Sequence, residues 1–537
     1  MRKRRTWRIL LRLVSLVAIL ALAIGVSVPG ASAATPDEIN QAIEDGMAWL
    51  AGHQNPNGSW GGYAYVAHAG LAVLKFETHA VFMGMSPYDP GYAYHQEVED
   101  GLNYIFSQLE AIPISPQPAG NPDSNGNGIG VRAAAWDGYH YTYESAIALM
   151  AICASNEPAM VVGVGSQAGR TFADVAQDIV DYFAFGQNDG GAERGGWGYH
   201  ENDAGWSDNS NAGYATLGLG FAEAPPPFGF GLPIPGFVFT ELSSWVAYIQ
   251  NTTGVGWYYA PLGGSGYSNP QEWENVLKTG NLLQQQSMVG LTQINPPVQA
   301  ALGYIETHWN DANQDPGWNG GPGNVNYQAC FTMMKGFQSY GITLLDIDGN
   351  NVPETDWYDE MSDVIVATQN PDGSWPSDYW GDPPLTTAWA MLTLEKAAPP
   401  ALSLLPPFDV NPPGSDHTVT AVYKIGGVPQ AGVQINFEVI AGPNAGESGS
   451  AVTDANGEAS FTYTGTGGPG TDTIRATAVD DTGAPLISSQ AQKEWKDGVP
   501  PQEVPGVTGW GMIAAALIIA ALIPLGLRRR QQTNKAR

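Results

Sequence analysis

The sequence predicts an all-α toroid of six helix pairs, (α/α)6, followed by an all-β sandwich and a single C-terminal transmembrane helix. Three observations predict it. The stretch Gln54-Asn55-Pro56-Asn57-Gly58-Ser59-Trp60 returns almost unchanged as Gln369-Asn370-Pro371-Asp372-Gly373-Ser374-Trp375, with looser copies between, which marks an internal repeat. Beyond the Pro-rich stretch 399–413, helical periodicity gives way to apolar/polar alternation. Finally, an apolar run from Gly511 to Leu527 ends in Arg528-Arg529-Arg530, long enough to span a bilayer and followed by the charges that hold a tail in the cytoplasm.

Taken in order, residues 1–33 combine a basic start, an apolar stretch from Leu13 to Val28 and an Ala31-Ser32-Ala33 end, the pattern of a cleaved signal peptide. The toroid is expected over 34–398. Its repeat turns are read at Gln54 and Trp60, Trp136, Gln187 and Trp197, Gln250 and Trp257, Gln314 and Trp318, and Gln369 and Trp375; the tryptophans are separated by 76, 61, 60, 61 and 57 residues. Each unit pairs two kinds of helix. Ile43, Met47 and Leu50 share one face of a half-exposed helix, whereas Tyr143 to Ile152 is apolar nearly all round, as a buried helix would be. Glycines allow the turn, a Gln amide can satisfy free helix-end groups, and a Trp can cover the joint, so these residues are read as structural.

A Pro-rich linker is expected over 399–413, a β domain over 414–492, a linker with a sorting motif over 493–510, the membrane helix over 511–527 and a basic tail over 528–537. Thr418–Tyr423, Val433–Val439 and Ala459–Thr464 read as strands with one buried face.

The formal net charge is −30. Eleven of the 22 basic residues lie in the two terminal segments, so the portion between carries 11 against 52 acids, near −41. Such a polyanion excludes nucleic acid as a partner.

The Gln-x-x-x-Gly-x-Trp turn resembles the repeat of squalene and terpenoid cyclases. The six-unit layout over about residues 37–398 is similar to the terpenoid cyclase and protein prenyltransferase superfamily. Gly196-Trp197-Gly198-Tyr199, followed by Asp208-Asn209-Ser210-Asn211-Ala212-Gly213-Tyr214-Ala215, resembles a segment of bacterial squalene-cyclase-like domains. Residues 402–492 resemble bacterial Ig-like domains of the invasin group, through Gly442-Pro443-Asn444-Ala445-Gly446 and Thr453-Asp454-Ala455-Asn456-Gly457. The end of the chain is similar to bacterial surface-sorting tails, although its motif reads Val504-Pro505-Gly506-Val507-Thr508-Gly509-Trp510-Gly511. Together these resemblances imply an Ig-like sandwich as the stalk of a cell-surface, extracytoplasmic protein anchored by its C-terminal helix.

The chemistry of the resembled families is not written in this chain. The Asp-x-Asp-Asp acid of the cyclases is missing, Asp346-Ile347-Asp348-Gly349 being the nearest string, and Cys330 lacks the Asp two residues earlier that the prenyltransferase zinc set requires. Whether the protein is an enzyme is therefore left open. Weak catalytic candidates are Asp137, His140, Glu144, His200, Asp203 and Asp208; Glu144 stands out as a carboxylate in an apolar helix, and Asp208 as a cap for the helix that follows. Asp123, Asn125 and Asn127, and again Asp346, Asp348 and Asn350, mimic the first half of a calcium loop without the closing acid. Calcium is the one cofactor considered. The leading function is non-catalytic binding or adhesion toward a glycan, an apolar small molecule or a surface protein. The rival is an extracytoplasmic enzyme, either a divergent cyclase or a glycan-cleaving enzyme with two cavity carboxylates.

Overall fold

The computed structural model describes residues 34–497, apart from 63–64, 84, 135–136, 203–204, 225–228, 255–261, 314, 322, 396–401, 407, 426–427, 480–484 and 489–490. Twelve helices occur among these residues, alternating between an outer and an inner set. The outer set is α1 (Pro36–Gly52), α3 (His95–Ser107), α5 (Phe172–Gly186), α7 (Gly236–Ile249), α9 (Pro296–His308) and α11 (Trp357–Ala367), half-exposed except α5, which is mostly buried. The buried set is α2 (Tyr65–Phe82), α4 (Tyr141–Ala154), α6 (Asn209–Glu223), α8 (Val276–Met288), α10 (Tyr327–Tyr340) and α12 (Pro383–Leu394). Each buried helix packs on the next, and α12 returns to pack on α2, so these helices form a ring with the outer set around it.

Local chemistry explains the alternation. In α1, Thr35 and Glu38 form a capping box ahead of Pro36, and Ile39, Ile43, Met47 and Leu50 make one buried stripe. In α4, every residue from Glu144 to Ala154 is buried, which only a helix flanked on all sides tolerates.

The turns after four outer helices share one hydrogen-bond scheme. Gln54, Gln187, Gln250 and Gln369 each donate from Nε2 to the carbonyl of their own turn glycine, Gly58, Gly195, Gly263 or Gly373, at 2.9–3.3 Å. The same amide donates to a carbonyl on the next outer helix, Glu97, Val238, Pro297 or Ala42, at 2.8–3.1 Å. Each turn glycine has positive φ, between 86° and 115°, and an added Cβ would fall 1.8–2.4 Å from the carbonyl oxygen of Asp100, Glu241, Ala300 or Asp45. Only glycine can turn and touch there. The Gln369 bond to Ala42 ties the last unit to the first.

Trp60, Trp197 and Trp375 are buried and donate Nε1 to the last turn of the preceding outer helix, at Leu50, Phe183 and Ile365 (2.7–2.9 Å). Trp318 is buried as well. Two of the six readings need correction. Gln250 bonds Gly263, not Gly254, because residues 252–262 are inserted between them, and Ser265 takes the joint position: its N–H donates to Thr279 Oγ1 as that of Trp375 does to Thr387 Oγ1. In the second unit the equivalent position is Ala133, whose N–H donates to Ser145. Trp136, Trp257 and Gln314 lie outside the described residues.

The fold class as a whole is corrected. The described chain is mixed, about 40% helix and 17% strand, with twelve helices and a curled mixed sheet, instead of an all-α toroid, an all-β Ig-like sandwich and a membrane helix. The helical part carries two hairpins: β1 (Leu109–Pro113) with β2 (Ile129–Ala133), and the two-residue pair β3 (Leu344–Leu345) with β4 (Thr355–Asp356). The polar stretch 121–128 is thus the connection of a hairpin, which helical periodicity cannot reveal. No described helix is long and apolar enough to cross a membrane. The expected span 511–527, like the leader 1–33, lies outside the described residues.

The C-terminal strands are β5 (Leu402–Leu405), β6 (Phe408–Asn411), β7 (Asp416–Ile425), β8 (Val428–Pro429), β9 (Gln434–Ala441), β10 (Ser448–Val452), β11 (Glu458–Thr464), β12 (Gly470–Val479), β13 (Pro485–Ile487) and β14 (Ala491–Trp495). They run in the orders β10-β9-β12-β14-β6, with β13 on β12, and β11-β7-β5, with β8 on β7. All described pairs are antiparallel except β14 with β6, which is what makes the sheet mixed. Along β9, Ile435, Phe437 and Val439 face inward and Gln434, Asn436 and Glu438 outward, the two-residue period of a half-buried strand. These strands have their own hydrophobic core, separate from that of the helices.

Candidate functional site

The buried helices all begin at one end of the ring, and their first turns leave a cavity of about 320 Å³ there. Ala67 and Leu71 come from α2, Tyr143 and Ile147 from α4, Ser210 and Tyr214 from α6, Leu277 and Lys278 from α8, Gln328 from α10, and Leu385 and Trp389 from α12. Connecting turns add His140, Tyr199, Tyr267, Trp273, Asn275 and Trp380. Aromatic rings dominate the wall. Trp273 packs against Trp380 at 5.3 Å between centroids and against Tyr267 at 5.9 Å, and the hydroxyls of Tyr199 and Tyr267 lie 2.7 Å apart. Burial pushes the Tyr199, Tyr214 and Tyr267 phenols up, so they stay neutral donors. Trp273 has φ 52°, an uncommon conformation for a bulky residue; its Nε1 donates to Asp315 Oδ2 at 2.6 Å, which fixes the ring in the wall.

Lys278 is the one described cation in this wall. Its backbone is pinned: the N–H donates to the cap residue Asn275, and the carbonyl accepts from Asn209. Its Nζ lies 4.1 Å from the Trp273 ring centroid, and among the described residues it forms no hydrogen bond or ion pair. Burial pulls its pKa down to about 7, with Asp315, Asp208 and Glu272 offsetting only part of the effect. At the far side of the ring a space of about 30 Å³ touches Lys335, whose pKa burial also lowers to about 7. That space has room for about one water molecule and is too small for a larger ligand.

The structure separates the sequence candidates. His140 reaches the cavity wall, and its Nδ1 is paired with Asp137. Asp137 also accepts from the N–H groups of Tyr139 and His140; burial would raise its pKa, but these bonds outweigh it and hold the carboxyl below the usual range. His200 packs edge-on against Tyr139, outside the cavity. Asp208 caps α6 by accepting from the N–H groups of Ser210 and Asn211, two residues before the wall residue Ser210. Asp203 lies outside the described residues. Cys153 and Cys330 are buried and free.

Glu144 is fully buried, and its Oε2 accepts from the N–H of Ala67 at 2.7 Å, capping the first turn of α2 from the neighbouring helix. Burial raises its pKa to about 8 against the bonds from Ala67 and Val66. Because the folded value lies above the unfolded one, the proton it binds stabilises the fold fully below about pH 4.5, and this contribution is lost as pH rises through 8. Glu144→Gln, which keeps an acceptor and cannot ionise, should therefore gain on the wild type between pH 5 and 9 in thermal melts, while Glu144→Ala, which lacks the acceptor, should fall about 1–2 kcal/mol below Glu144→Gln at every pH.

The two calcium-like loops are internally bonded. Asp123 accepts from the N–H groups of Gly126, Asn127 and Gly128, and Asn125 and Asn127 donate to Asp178. Asp346 accepts from the N–H groups of Asn350 and Asn351, and Asp348 from the Asn350 amide. Among the described residues there is no group of three or more His, Cys, Asp or Glu side chains that could hold a metal ion.

Sequence reasoning missed the aromatic wall and Lys278. The wall is spread from residue 67 to residue 389 and exists only once the ring closes. Lys278 was within reach: it is a charge inside a buried helical run, the signal that drew attention to Glu144. No family model matches the chain, and no curated protein matches it.

Proposed function

We propose that the helical unit is a binding module for a small, largely apolar molecule, carried by an exported protein. The cavity supports this reading: its volume, aromatic lining and few polar groups are those of a ligand site. No carboxylate lines it among the described residues, so neither the shielded acid of a cyclase nor the facing pair of a glycan-cleaving enzyme has a described candidate in the wall. The polar groups that do converge, Lys278, Gln328, Asn275, Ser210 and the tyrosine hydroxyls, suit a ligand with an apolar body and one acceptor-rich or anionic end.

The test is a fluorescence titration with 1-anilinonaphthalene-8-sulfonate, whose flat body and sulfonate match that description. The wild type should give saturable binding at one site. Leu385→Trp and, independently, Gln328→Phe, each checked for an unchanged melt, should weaken it at least tenfold, about 1.4 kcal/mol. Ile294→Ser removes an apolar side chain that is 88% exposed and should change nothing. Binding that survives both cavity fillers but falls in the Ile294 variant would place the probe on the surface and refute the reading.

A further inference from the structure

The geometry points to Lys278 as a nucleophile that captures an apolar aldehyde or ketone in this cavity as a reversible imine. The inference deepens the binding reading and rests on it.

Four observations carry it. First, Lys278 lines the cavity, and its Nζ sits beside Trp273, another residue of the wall. Second, Nζ has no hydrogen-bond acceptor and no carboxylate within ion-pair distance among the described residues. A structural buried lysine is paired, as Lys75 is with Glu395 at 2.5 Å; Lys278 is held by its backbone and left unpaired at its reactive end. Third, the Trp273 ring lies 4.1 Å from Nζ, and Trp380 packs against that ring, so a flat carbonyl compound has an aromatic surface beside the amine. Fourth, Lys278 is the third residue of α8, where the helix dipole disfavours a positive charge.

The groups facing the cavity act in the same direction or too weakly to reverse it. Asp315, Asp208 and Glu272 favour the ammonium form through space, yet Asp315 is engaged with Trp273 and Asn275, Asp208 caps α6, and Glu272 accepts from Ser268 and Asn269. Tyr199, Tyr214 and Tyr267 remain neutral, and His140 is paired with Asp137. About half the amine is unprotonated near pH 7, where an exposed lysine is almost wholly ammonium. The neutral nitrogen adds to the carbonyl carbon, a carbinolamine forms, and both amine hydrogens leave with the carbonyl oxygen as water. The product is a carbon–nitrogen double bond. No oxidant, reductant or metal enters the balance.

The experiment uses the intact chain with 2-naphthaldehyde and sodium cyanoborohydride, which reduces an imine to a stable amine, followed by intact mass and peptide mapping. The expected result is one adduct per chain on Lys278, half-maximal near pH 7, with exposed lysines such as Lys496 reacting only at higher pH. Lys278→Met should abolish the adduct. Labelling spread over surface lysines without excess at Lys278 would overturn the inference, and that result is read on the wild type alone, so it does not depend on the variant folding. The sulfonate probe separates the two levels of failure. If the wild type binds it saturably but Lys278 is not labelled, the covalent inference falls and the binding reading stands. If Lys278 is labelled equally in Leu385→Trp, which should exclude ligand, recognition by the cavity falls, and the inference with it.

Discussion

Trp375→Ala should destabilise the helical unit by about 3–5 kcal/mol, a large share of the typical margin of 5–15 kcal/mol. Trp375 is fully buried where the last unit meets the first. Its Nε1 donates to Ile365 at the end of α11, its N–H to Thr387 of α12, and its carbonyl accepts from Thr386. Its ring edge also lies against Gly46 of α1, so closely that a methyl group added there would fall 2.8 Å from it. Truncation removes contacts with three helices at once and leaves a cavity the ring cannot collapse around. At roughly 2.1 cal/mol/K of unfolding entropy per residue, the melting temperature of so large a cooperative unit should fall by roughly 4–7 °C. Binding of the sulfonate probe should survive in the folded molecules, because Trp375 does not line the cavity. A variant that melts normally yet loses the probe would mean that the repeat turns belong to the site.

Glu395→Ala should cost about as much, roughly 3–5 kcal/mol, because it strands a buried cation. Lys75 on α2 is fully buried with Nζ 2.5 Å from Glu395, which follows α12 directly; Thr78 and His79 on α2 also bond that carboxylate. At the other end of the same helix pair, His68 bonds Asp382 at 2.8 Å. The seam that closes the ring is therefore clamped at both ends by a carboxylate, Glu395 at one and Asp382 at the other. Burial pushes the Glu395 carboxyl up, but Lys75 and His79 outweigh it and hold the pKa below the usual range. Its contribution is thus fully present above the unfolded value, about pH 4.5, and disappears as pH falls through the folded one. The gap between wild type and Glu395→Ala should accordingly narrow in acid. Lys75→Met combined with Glu395→Leu should recover most of the loss, since no unpaired charge remains. A double variant as unstable as the single would show that the damage is packing and not the stranded charge.

The repeat turns were legible where sequence spacing and spatial spacing agree. Gln54 and Gln369 lead into Gly58 and Gly373 four residues later, and both ends of that bond are visible in the chain. Gln250 misled, because its Gly263 partner lies thirteen residues away and Gly254 offered itself first. The search for tryptophans set the second unit's turn at Trp136, whereas Ala133 fills the joint. Helical periodicity located buried helices such as α4, but it could not disclose β1 and β2, whose pairing depends on contact across the inserted loop. Carboxylates attracted attention because their burial is costly, and Glu144 and Asp208 resolved that cost by capping helices. What the sequence withheld was the cavity, because six helix starts contribute a residue or two each and no local pattern joins them.

The most direct measurement is a crystal structure of the chain grown with 1-anilinonaphthalene-8-sulfonate. The binding account predicts density for the naphthalene ring at the mouth of the helix ring, against Trp273, Trp389 and Tyr143, with the sulfonate turned toward Lys278 Nζ. Density for the probe only on the outer surface, with the aromatic cavity empty, would contradict it.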